Sequence, residues 1–79
     1  MKKISYEETG ERIREMRKNS GLTVEKLAEA LQVTQEAVKA WQRGRNLPSV
    51  EHLVQLAELL RTTVDGLLAT EEVEEKEEE

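Results

Sequence analysis

Apolar residues recur along this chain at intervals of three and four. Val24, Leu27, Ala28 and Leu31 form an i, i+3, i+4, i+7 stripe, and Leu53, Leu56, Ala57 and Leu60 form a second. A helix with that spacing gathers its apolar side chains on one side. Polar punctuation divides the stripes. Ser5 followed by Glu8 reads as a capping box, and Asn19, Ser20 and Gly21 close the helix it opens. Thr23 can cap a second helix and Thr34 a third, which Gly44 ends. Asn46, Leu47 and Pro48 form a loop, Ser49 caps a fourth helix, and Thr62 or Thr63 opens a short fifth over VDGLLA. Nothing alternates with period two, so no strand is predicted. The expected architecture is all-α: a compact five-helix bundle over residues 1–70.

Composition narrows what such a bundle can be. The chain has 79 residues, enough for one small domain with a modest core. Aromatic content is 3% and Phe is absent, so the core must come from Leu, Val, Ile, Met and Ala. With no Cys there is no disulfide or thiolate metal site, which suits a reducing cytosol. MKKISYEETG lacks the apolar run of a secretory signal, and no stretch approaches the roughly 20 apolar residues of a membrane helix. A soluble, cytoplasmic protein is expected. With one His and no glycine-rich phosphate loop after a strand, no enzyme, metal site or cofactor is expected either.

The net charge of −5 changes meaning once it is divided. Residues 71–79 hold seven acids against Lys76, whereas residues 1–70 hold 11 Lys and Arg against 10 Asp and Glu, a net +1. The acidity belongs to a tail that cannot bury apolar surface and is expected to stay disordered. A near-neutral domain can still meet nucleic acid if its cations gather on one face.

Such a face is visible in the third helix, residues 34–43. Only Gln32 and Val33 separate it from the second helix, so the two must turn sharply. A pair joined so tightly has helix-turn-helix geometry, which presents its second helix to a groove. At about 100° per residue, Ala37, Val38 and Trp41 share the core side. Gln35, Glu36, Lys39 and Arg43 lie opposite, with Ala40 at the edge. Polar residues at the start could meet base edges, and Arg43 and Arg45 at the end could meet phosphate.

The ordered set of motifs over residues 9–69 resembles the Xre-type helix-turn-helix domain of phage repressors, Cro proteins and small bacterial regulators. It comprises R-x-x-R before Gly-Leu-Thr, L-A-x-x-L, V-T-Q-x-x-V-x-x-W-x-x-G, a Pro loop and a closing V-x-x-L-L. The resemblance implies a lambda repressor-like bundle binding double-stranded operator DNA, usually as a homodimer on a two-fold site. Carried over by position, it implies base reading by Gln35, Glu36 and Lys39, with Ala40 against a thymine methyl. Phosphate contacts would fall to Arg17, Thr23, Thr34, Arg43, Arg45 and Asn46. A dimer surface would lie at the C-terminal end, around Val64, Leu67 and Leu68.

Two positions depart from the family pattern. Val24 stands where a phosphate-touching Gln is common, and its phase with Leu27, Ala28 and Leu31 makes it a packing residue. Gln42 stands where the family often has a Glu paired to the counterpart of Arg17. The pair becomes a charge-to-amide hydrogen bond, with Gln42 bracing the third helix.

Several residues carry two readings. Glu36 could accept from a cytosine amino group, or simply favour the positive end of its helix. Trp41 reads as core and His52 as surface. Glu7, Glu8, Glu11 and Glu15 alternate with Arg12, Arg14 and Lys18 in i, i+3/i+4 pairs, a solvated face. The tail is either a solubilising end or a competitor of phosphate for the basic face. Two rival functions remain beside an operator-binding repressor: an antitoxin that also represses its own operon alongside a toxin partner, and a module used for protein–protein contact.

Overall fold

In a computed structural model, residues 1–74 are described. Among them the order is β1 (Lys2–Ile4), α1 (Tyr6–Asn19), α2 (Val24–Leu31), α3 (Gln35–Gln42), α4 (Val50–Leu59), α5 (Val64–Leu67) and β2 (Thr70–Glu72). All five helices begin at a hydroxyl cap. Ser5, Thr23, Thr34, Ser49 and Thr63 accept from the backbone N–H of Glu8, Lys26, Ala37, His52 and Gly66. Of the two candidates for the fifth helix, Thr63 is the one used. Each such cap contributes about 1 kcal/mol by satisfying an amide that the helix cannot.

Four helices end in a common way. The residue after the last turn is left-handed, and two backbone bonds fold back over the helix end. Gly21 (φ 70°) and Gly44 (φ 74°) follow α1 and α3, while Gln32 (φ 57°) and Arg61 (φ 56°) follow α2 and α4. After α3, the N–H of Arg45 donates to the Ala40 carbonyl at 3.0 Å and that of Gly44 to Trp41 at 3.1 Å.

The core is aliphatic, with one large ring. Ile13, Leu27, Leu31, Val38, Trp41, Leu53, Leu56, Leu60 and Leu67 are buried together. Helix α1 crosses α3 at Gly10, where a Cβ would lie against the Trp41 carbonyl and 2.7 Å from that of Gln42. Thr9 is fully buried and polar, and its hydroxyl accepts from the Ala69 N–H at 2.9 Å.

The five-helix bundle is as expected, and a short strand pair is added to it where no strand was expected. β1 and β2 run antiparallel, with Lys2 opposite Glu72, Lys3 opposite Glu71 and Ile4 opposite Thr70. Three-residue strands are too short to show alternation, and their partners lie at opposite ends of the sequence. The pairing is set up by the bundle: the Ser5 N–H donates to the Ala69 carbonyl at 2.8 Å, next to the Thr9 bond. Glu71 and Glu72 are therefore strand rather than disordered tail, and residues 75–79 of that tail lie outside the described residues.

The α1 charges are also arranged differently from the expected i, i+3/i+4 pairs. Among the described residues none of Arg12, Arg14 or Lys18 pairs with an α1 carboxylate. Arg12 reaches instead to the carbonyls of Gly66 (3.2 Å) and Leu68 (3.3 Å), holding the end of α5. Among the described residues no helix is long and apolar enough to cross a membrane.

Candidate nucleic-acid interface

Helices α2 and α3 meet through Gln32 and Val33. Left-handed backbone at Gln32 (φ 57°, ψ 43°) reverses the chain, and the Val33 N–H donates to Ala28 at 3.0 Å. Thr34 then starts α3 at once, accepting from Ala37 at 3.1 Å. This is helix-turn-helix geometry, with α3 as the exposed second helix.

The two sides of α3 are divided as its sequence requires. Val38 is fully buried, Trp41 is 5% exposed, and Ala37 packs against the core. Gln35, Glu36 and Arg43 are exposed, while Lys39 and Ala40 are half-buried at the edge. Glu36 gains a partner that neither sequence reading included: its Oε1 lies 3.8 Å from Lys39 Nζ, one turn further on. Such an exposed pair is weak, so it restrains Lys39 without withdrawing it from a ligand.

Arg17 and Gln42 form the expected brace. Arg17 Nε donates to Gln42 Oε1 at 2.8 Å, and Nη1 donates to the Leu22 carbonyl at 2.7 Å. The bond ties α1 to the last turn of α3 and leaves one edge of the guanidinium for an anion. Val24, the first residue of α2, packs against the core as its phase implies.

One shallow depression is lined by Arg14, Arg17, Val24, Lys39, Gln42 and Arg43. Four cations from α1 and α3 thus border a single concave surface beside the exposed side of α3. Arg14 is the residue that sequence reasoning missed. Its place among the α1 carboxylates hides it, although its spacing of three from Arg17 sets the two on one face of the helix.

The remaining candidates cluster at helix ends. Arg43 caps α3, and Arg45 and Asn46 follow it, all exposed. Gly44 between them sits against the backbone of Glu7, where a Cβ would meet the Glu7 Cα at 2.8 Å. Thr23 and Thr34 are exposed, with hydroxyl oxygens engaged as caps and hydroxyl protons left to donate.

Two expectations are corrected. Leu67 is fully buried in the bundle, so it has no surface to offer a second copy. Val64 and Leu68 are only half-buried and pack at the edge of the core. His52 is half-buried rather than a surface residue. Its ring lies 5.6 Å from that of Trp41, and its Nδ1 is 3.1 Å from Ser49 Oγ, at the start of α4.

This architecture defines a class, a helix-turn-helix bundle with a basic face. The profile of the helix-turn-helix family matches residues 13–67, and the chain belongs to that family. It is 35% identical over 66 residues to the transcriptional activator BcrR of Enterococcus faecalis, covering 84% of this chain and 32% of that one. It is 36% identical over 63 residues to the transcriptional regulator DicA of Escherichia coli K12, covering 80% and 47%. The chain thus spans less than half of the length of these curated relatives. Among solved structures, the P22 c2 repressor in complex with a synthetic operator superposes with a TM-score of 0.72 at 33% identity. That match covers 76% of this chain and 91% of the repressor.

Proposed function

We propose that this protein is a sequence-specific DNA-binding transcription regulator, acting as a repressor on a two-fold operator. The carrying observation is the convergence of Arg14, Arg17, Lys39 and Arg43 on one depression beside the exposed side of α3. The likeness to a repressor in complex with a synthetic operator supports DNA as the partner. Helix α3 enters the major groove, where Gln35, Lys39 and Ala40 meet base edges. Glu36 orients Lys39 and can accept from cytosine. Arg14, the free edge of Arg17, Arg43, Arg45, Asn46 and the hydroxyls of Thr23 and Thr34 grip phosphate on either side.

One domain of this size offers few contacts, so high affinity calls for a homodimer with recognition helices in major grooves about 34 Å apart. Val64 and Leu68 are the remaining candidates for its surface.

Fluorescence anisotropy with DNA from upstream of the gene, over a salt series, tests the reading. The expected result is one preferred site whose log affinity falls steeply and linearly with log salt. Absent or salt-insensitive binding would sink it in favour of a protein-contact module.

A further inference from the structure

The ribbon β1–β2 sets two lysines against two glutamates. Lys2 faces Glu72 and Lys3 faces Glu71 in the antiparallel register. Lys3 Nζ lies 3.5 Å from Glu71 Oε1, with both side chains exposed. Opposite charges directly across a ladder favour its pairing. The ladder extends one step further, where the Val73 N–H donates to the Met1 carbonyl at 2.8 Å.

Its position is what gives this pairing a consequence. Lys3, Ile4, Ser5, Tyr6, Glu7, Gly44 and Glu71 line one shallow depression, so the base of the ribbon lies beside the exit of α3. Gly44 is flanked by Arg43 and Arg45, both exposed. A strand with two adjacent lysines thus leaves the bundle next to the cations assigned to phosphate. Lys3 is met there by the Glu71 carboxylate, whereas Glu72 Oε2 lies 3.4 Å from the Met1 amino group.

We propose that β1 is a DNA-contacting arm held in check by β2. Lys3 neutralises a backbone phosphate next to those gripped by Arg43 and Arg45, and Glu71 competes with that phosphate for its ammonium group. Glu74 and the acids beyond it add repulsion through their charge alone. The ribbon lowers affinity for any duplex and leaves base reading to α3. This inference rests on the DNA-binding reading above.

The full-length variant Glu71→Gln tests it, against a labelled 20-base-pair duplex of arbitrary sequence between 50 and 200 mM salt. Of the ribbon side chains only Ile4 is half-buried, so the charge change leaves the bundle intact, and an unchanged melting temperature checks this. Releasing one lysine to one phosphate should steepen the salt slope by about 0.9, giving about threefold tighter binding at 50 mM that fades by 200 mM. Adding Lys3→Ala to the variant should return affinity and slope to those of the parent. Unchanged affinity in the variant overturns the proposal. So does a gain that survives loss of Lys3, because the carboxylate then acts by repulsion alone. If parent and variant both fail to bind at 50 mM, the DNA-binding reading falls as well.

Discussion

Gln32 carries the turn on which the helix-turn-helix pair depends, and it does so in a backbone region that disfavours it. A residue with a Cβ at φ 57° is strained by about 1–2 kcal/mol relative to right-handed backbone. Glycine removes that strain and gives back part of the gain in unfolded-state entropy. Gln32→Gly is expected to stabilise the domain by about 0.5–1 kcal/mol. In a chain of this size that raises the thermal midpoint by roughly 2–8 °C in a calorimetric scan. Gly21 has a similar φ, and nothing lies within 4 Å of a Cβ built there, so Gly21→Ala should lower the midpoint through conformation alone. A lower midpoint for Gln32→Gly would mean that its amide makes contacts that outweigh the strain.

At the scale of the element, α3 owes its orientation to three different restraints. Val38 and Trp41 bury one side, Gly10 lets α1 approach its last turn, and the Arg17–Gln42 bond fixes its rotation. The exposed residues can then differ in role according to where they stand. Lys39 lies mid-helix beside Glu36, whereas Arg45 follows the helix end. Lys39→Ala should alter preference between operators that differ at one base pair, by about 1–3 kcal/mol at that position. Arg45→Ala should weaken all sequences alike and lower the salt slope by about one. Competition binding against a set of single-base operator variants separates the two, and a uniform loss for Lys39→Ala would remove it from base reading.

For the whole molecule, burial separates stability from assembly. Leu67 lies in the core, so Leu67→Ala should leave a cavity and cost about 2–5 kcal/mol, seen as a lower unfolding midpoint. Val64 is half-buried at the edge. Val64→Ser should cost about 1 kcal/mol in stability and mainly weaken binding to a two-fold site, with half-site binding unchanged. Sedimentation velocity of the variant with each DNA checks this. Equal loss on both sites would move the dimer surface elsewhere.

The five caps, the spacing of the apolar stripes and the two-residue gap before Thr34 are local features, which is why the helices could be placed from sequence. The same phase argument gave the core side of α3 and the packing of Val24. Tertiary structure decided what depends on residues far apart in the chain. It paired Lys2–Ile4 with Thr70–Glu72, turned Arg12 from its helical neighbours to the end of α5, and buried Leu67. It also brought Arg14 to the same depression as Lys39 and Arg43. Helical periodicity reports which residues share a face of one element. Only the packing of one element against another decides what that face meets.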